Sequence, residues 1–223
     1  MTKRDTPQRR PLNRERVIGA AVALADRDGL DALTMRQLGS ELGVEAMSLY
    51  KHVANKDEIL DAMVDSVISE IALPTEDAGW KDAMRDRATS ARKVFTQHPW
   101  ALGLMESRRP EGPAVLQYLD RILGSLRSAG FSIDDSVHAF FLLDTFVYGH
   151  VIQELTLSSE SESEDGGFDP EMVASIPADV FPHLSEMMKH AAEHEFSVDE
   201  EFEFGLDLFL DALEQSLVQS LSR

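Results

Sequence analysis

Between residues 34 and 56 the chain gathers Arg36, Ser48, Tyr50, Lys51, His52 and Lys56, side chains whose common chemistry is donation to an anion. Ser48, Tyr50, His52 and Lys56 suit phosphate oxygens, contacts that position a protein on a duplex without reading its sequence. Arg36 has the planar fork that matches the O6 and N7 edge of guanine, and Lys51 suits a base or a phosphate. Ala46 and Met47 offer only apolar contact, of the kind a thymine methyl accepts. For Tyr50 and His52 the other reading is packing against flanking helices, since both residue types are often half-buried.

For these side chains to act together, the backbone must present them on one face. Thr34 is an N-cap candidate with Gln37 three residues on, a capping-box spacing. Leu38 and Leu42 line one side of the helix that follows, and Gly43 supplies backbone freedom for a turn. Val44 and Leu49 read as core contacts of a second helix. Asn55 then caps the next one, with Glu58 at the box position. This is a helix-turn-helix, whose second helix fits a DNA major groove. Ahead of it, a helix is expected over about Arg14–Arg27, capped by Asn13 and ended by Gly29, with Val17, Ile18, Ala21, Leu24 and Ala25 inward. Behind it, an amphipathic helix is expected from Lys56 to about Leu73, stopped by Leu73-Pro74.

The strings LTMRQLGSELGV and SLYKHVANKDEILDAMVD, with ALADRDGLDAL before them, resemble the DNA-binding domain of the TetR (tetracycline repressor) family of transcriptional regulators. The ending Leu-Tyr-x-His-Val-x-x-Lys is close to a family signature. The resemblance implies DNA contacts at the positions named above. More loosely, GW at 79–80, RP at 109–110, AGFSIDDSV, FGLDLFLDALE at 204–214 and the acidic stretch before the last helix resemble the tetracycline-repressor type of effector domain. That likeness implies a ligand pocket in each body, whose filling re-spaces two DNA-binding domains. The wall it implies comprises Met105, Arg109, Tyr118, Ile122, Val137 and Phe140, with Arg87, Trp100 and Asp144 nearby; the other reading is plain core. The histidine that holds magnesium–tetracycline in the namesake repressor falls at Met105, aligned through Arg109-Pro110. A thioether is a poor magnesium ligand. The expected effector is therefore a small apolar or amphipathic molecule, and neither a metal nor a cofactor is expected.

Charge fits this division of labour. The formal net charge is −19, yet residues 1–56 hold ten Lys/Arg against seven Asp/Glu, and the remaining 167 hold eleven against thirty-three. The basic end faces phosphate and the acidic body is repelled. The division expected is a basic flexible arm at 1–12, a helix-turn-helix domain with linking helix at 13–73, and an effector-binding and dimerisation domain at 74–223. Residues 158–168 are expected to form a mobile acidic loop. On DNA the arm can reach phosphates or an adjacent minor groove.

The body reads as helical throughout, so the fold class is all-α. The segment AFFLLDTFVYGHVIQEL is apolar on every side, which calls for cover on its far face. Helices near 134–156 and 198–221 from two copies would make a four-helix bundle across a two-fold axis. A homodimer is also what reading an inverted-repeat operator in double-stranded DNA requires. Without cysteine, a long apolar run or an apolar leader, the chain is expected to be cytoplasmic, with no membrane partner. His190 and His194 have a zinc-capable spacing, with Glu186 and Glu193 near, but no His-Glu-x-x-His, nucleophile elbow or phosphate loop is present, and no enzyme is expected. The reading is a repressor released by a small molecule; the alternatives are a ligand-independent DNA-binding dimer and a transcriptional activator.

Overall fold

The computed structural model describes residues 11–75, 79–108, 111–160, 175–193 and 197–222. The all-α expectation holds: among the described residues there are ten α-helices, one three-residue 3-10 turn and no strand. The first ten residues of the expected arm, most of the expected acidic loop, Arg109 and His194 lie outside the described residues.

The first four helices form by local rules legible in the chain. Helix α1 (Arg14–Asp28) starts on Asn13, whose side chain accepts from the Arg16 N–H at 2.9 Å, and stops at Gly29 with φ 80°. Helix α2 (Met35–Leu42) starts on Thr34, which accepts from the Gln37 N–H at 3.1 Å. It ends at Gly43 in the left-handed region, φ 65°, a conformation that costs a residue with a Cβ. Helix α3 (Ala46–Leu49) is a single turn, and Asn55 caps α4 (Lys56–Ile68) by accepting from Glu58 at 2.8 Å. Glu58 reciprocates one residue early, accepting from the Ala54 N–H at 2.6 Å, and this bond holds its carboxyl below the usual range.

Helix α4 stops five residues short of the expected Leu73. Its last turn tightens, with Glu70 N–H donating to Val67 and Ile71 N–H to Ile68. The Ala72 N–H is then taken by Ser90 Oγ of α5 (Trp80–Gln97) at 2.9 Å, which draws the chain out of helical register. Helices α6 (Trp100–Ser107) and α7 (Pro113–Ser128) follow. Helix α8 (Ile133–Glu160) runs through residues 158–160, the expected start of the acidic loop. The last two are α9 (Pro182–Glu193) and α10 (Val198–Leu221), the latter capped by Ser197.

One continuous core joins the two ends of the chain. Leu24, Leu38, Leu49, Ile59 and Met63 fill the α1–α4 unit, and Phe95, Ile122, Leu143, Phe202 and Leu206 fill the body. Helix α8 is not apolar-buried all round. Ala139, Leu143, Val147 and Val151 are buried, whereas Phe141, Leu142 and Ile152 are exposed in the single chain. Gly149 faces open space; within the chain, close approach of α8 to α10 falls at Gly205, where a Cβ would strike the Phe146 ring.

Gly39 sets the spacing of the helix-turn-helix. A Cβ there would lie 2.9 Å from the Val44 carbonyl oxygen and 3.2 Å from the Ala46 nitrogen, both backbone atoms that no side-chain rotation can move. Gly39→Val is expected to destabilise the α1–α4 unit by about 1–3 kcal/mol, the cost of overpacking. It should also weaken duplex binding at least tenfold by displacing α3. Thermal denaturation and duplex titration of the purified variant check this; native values in both would contradict it.

Candidate nucleic-acid interface and effector site

The expected DNA-contacting residues run from α2 through the Gly43 turn and α3 to Lys56, the first residue of α4. Arg36, Met47, Tyr50, Lys51 and Lys56 are exposed, and Ala46, Ser48 and His52 are half-buried. Met47 is 74 % and Tyr50 45 % exposed, so neither is spent on the core beneath, which Leu49 and Val53 supply. Position along the chain decides the pairing of cations in this unit. Arg14 pairs with Glu58, and Arg27 with Asp28 and Glu41, ties that join α1 to α4 and to α2. Arg36, Lys51 and Lys56 have no ion-pair partner among the described residues. The exposed cations without an ion-pair partner thus fall within the helix-turn-helix stretch itself, and cations left unpaired are the ones available to a polyanion.

Two contacts that the sequence reading missed couple this unit to the body. Arg108, at the end of α6, donates to Asp61 at 2.7 Å and to Asp57 at 3.0 Å, both on α4. Asp65 of α4 accepts from the Ala114 and Val115 N–H groups at 2.8 and 3.1 Å, so a side chain of one unit caps α7 of the other. Gly112 is required there, because a Cβ would collide with Asp65. A third junction uses Asp26 of α1, which accepts from the Trp100 indole at 2.6 Å and faces His98 Nδ1 at 2.8 Å. Trp100 therefore turns its polar edge to the DNA-binding unit. None of these pairings has a periodic signature in sequence.

The expected pocket residues are placed as follows. Tyr118, Ile122, Arg87 and Asp144 are buried together between α5, α7 and α8, and Phe140 is packed against that core. Met105 is half-buried on α6, and Val137 is 37 % exposed. Arg87 Nη2 donates to Asp144 Oδ1, and its guanidinium lies 5.5 Å from the Tyr118 ring centre and 6.0 Å from that of Phe140. Burial pushes the Asp144 carboxyl up from its ordinary range, opposed by the Arg87 charge, and pushes the Tyr118 hydroxyl up as well. A larger recess, about 740 Å³, opens between Pro74, Trp80 and Arg121, but the one beside this cluster is smaller. A recess of about 400 Å³ runs between α6 and α8, lined by Leu102, Gly103, Glu106, Tyr148, Ile152 and Leu155 among others. Tyr148, absent from the expected wall, borders the recess and donates its hydroxyl to Asp144 Oδ2 at 3.3 Å. The i,i+4 spacing of Asp144 and Tyr148 on one helix was the signal for it. No cluster of three or more metal-ligating side chains occurs among the described residues, and no helix in them is long and apolar enough to cross a membrane.

Residues 17–63 match the family model described as bacterial regulatory proteins, tetR family, and residues 73–217 match the tetracyclin repressor-like C-terminal domain. The chain is 33 % identical over 223 residues to the HTH-type transcriptional repressor DrrR1 of Streptomyces coeruleorubidus, covering 96 % of this chain and 82 % of the relative. Among solved structures it is similar to apo ActR from Streptomyces coelicolor, with TM-score 0.78, 29 % identity, and 95 % and 99 % of the two chains covered. The complex of ActR with actinorhodin is similar too, at TM-score 0.74 and 30 % identity over 93 % and 99 %.

Proposed function

This chain belongs to the TetR family of bacterial regulatory proteins, and from that we propose that it is a homodimeric transcriptional repressor of the cytoplasm, bound to an inverted-repeat operator and released by a small molecule. The observation that supports the reading is that Arg36, Lys51 and Lys56, exposed and without an ion-pair partner among the described residues, fall in the same helix-turn-helix stretch as Ser48, Tyr50 and His52. In this account residues 13–73 contact DNA and residues 74–223 bind the effector and the second subunit. Ala46 and Met47 lie nearest the base edges, Arg36 and Lys51 add polar contacts, and the rest hold phosphate.

Release needs a ligand that prefers the conformation unable to bind DNA. The clamp from Arg108 to Asp57 and Asp61, and the cap from Asp65 to α7, supply a rigid route by which a shift in α6 or α7 swings α4 and the helix-turn-helix with it. The effector reading rests on the recess beside Arg87, Asp144 and Tyr148, and it is strengthened by a relative of closely similar fold whose structure holds actinorhodin.

Dimerisation is assigned to α8 and α10. In the single chain Phe141 is 62 %, Leu142 47 %, Phe204 64 % and Leu208 57 % exposed. Such apolar area on two adjacent helices suits a second copy related by a two-fold axis. Phe204→Glu with Leu208→Glu is expected to give a monomer in sedimentation. It should also weaken binding to an inverted repeat by about a hundredfold or more, because the second half-site is no longer engaged. A dimer of native affinity would contradict the assignment.

A further inference from the structure

The buried pair at the centre of the body is unequally satisfied. Arg87 is 1 % exposed, yet only its Nη2 has a partner, Asp144; Nε and Nη1 are buried with none. A guanidinium keeps its charge at any accessible pH and carries five N–H donors, and native interiors leave few such groups unmet. The rings of Tyr118 and Phe140 lie 5.5 and 6.0 Å from the guanidinium carbon, so the surroundings of the group are aromatic. The recess between α6 and α8 comes within one side chain of it, because Tyr148 borders the recess and bonds Asp144. The other orphaned buried nitrogen among the described residues, His150 Nε2, lies instead at the α8–α10 face assigned to the second subunit.

We infer that the effector is an aromatic molecule bearing a carboxylate or an equivalent oxygen acceptor, and that this oxygen is held by Arg87 Nε and Nη1. The inference deepens the effector reading above and rests on it. Charge-assisted bonds from arginine to an oxygen acceptor are among the strong ones in a protein interior, and an ammonium group at the same place would meet repulsion. Burial favours the protonated form of Asp144, so the cluster can take up a proton as a full anion arrives and stay neutral.

The test is calorimetric titration of the full chain, free of DNA, with 2-naphthoate, 2-naphthamide and 2-naphthylmethylamine, three probes of one skeleton. The naphthoate and the amide are expected to bind at least tenfold more tightly than the amine. Arg87→Met with Asp144→Leu, which keeps the site filled and leaves no lone buried charge, is expected to remove that preference. Its thermal transition and duplex affinity report whether it folds, and Arg87→Lys, which keeps the charge, is expected to retain a preference for naphthoate over the amine. An amine bound as tightly as naphthoate, a double variant with native naphthoate affinity, or no naphthoate binding below millimolar concentration would each overturn the inference. Acceptor preference without release of bound duplex would leave the inference standing and sink ligand-released repression. Release by the amine alone would do the reverse.

Discussion

Replacing Arg36, Lys51 and Lys56 together by alanine is expected to abolish sequence-specific duplex binding while leaving the dimer and its thermal transition intact. The reasoning starts from exposure. All three side chains face solvent without an ion-pair partner among the described residues, so each loss changes stability by no more than about 0.5 kcal/mol. On DNA they do different work. Loss of Arg36 from a guanine edge costs about 1–3 kcal/mol per half-site and relaxes preference at that base pair. Each lysine removed from a phosphate releases about one counterion fewer, so the slope of log affinity against log salt becomes shallower by about 2 for the dimer from Lys56 alone and by about 4 where Lys51 also holds phosphate. Binding titrations at several salt concentrations separate these effects. Native affinity and slope would remove the helix-turn-helix face from the account.

The second large effect lies in the body. Asp144→Ala strands the Arg87 guanidinium, 1 % exposed, with no anion in reach. Breaking one side of a buried pair typically costs about 3–5 kcal/mol, whereas replacing both sides by apolar residues of similar volume is near neutral. A thermal transition lowered by about 10 °C is therefore expected for Asp144→Ala, at about 2–4 °C per kcal/mol for a chain of this size. Most of it should return in Arg87→Met with Asp144→Leu. Calorimetric melting of the three proteins checks the sign and the recovery. A double variant as unstable as the single one would mean that the pair is not the origin of the effect.

The local rules of helix formation made the DNA-binding unit legible. Asn13, Thr34 and Asn55 each cap a helix through their own side chain, and Gly29 and Gly43 adopt the positive φ that their positions require. What stayed hidden depends on partners far along the chain. Helix α4 ends early because Ser90, eighteen residues on, takes the Ala72 N–H. Arg108 and Asp65 acquire their roles only when α4 meets α6 and α7, and nothing in their immediate neighbours announces it. Gly39 sits inside a helix, where glycine is ordinarily a cost, and only the approach of Val44 and Ala46 explains it.

The candidate effector site shows the same boundary. The resemblance led to Arg87, Tyr118, Phe140 and Asp144, which the structure gathers into one buried cluster. It did not lead to Tyr148, which stands between that cluster and the recess, nor to the bond that Trp100, expected near the wall, makes to Asp26 through its indole. Apolar spacing indicates that a helix is buried; which side chain closes a cavity depends on rotamers and neighbours that spacing does not encode.

The most direct test of the central claim is selection of bound sequences from random duplex DNA by the purified dimer at moderate salt. The account predicts recovery of one inverted repeat, with half-sites centred about one helical turn, roughly 34 Å, apart, and its loss when Arg36, Lys51 and Lys56 are alanine. Recovery of no common sequence, or the same repeat from the alanine variant, would contradict it.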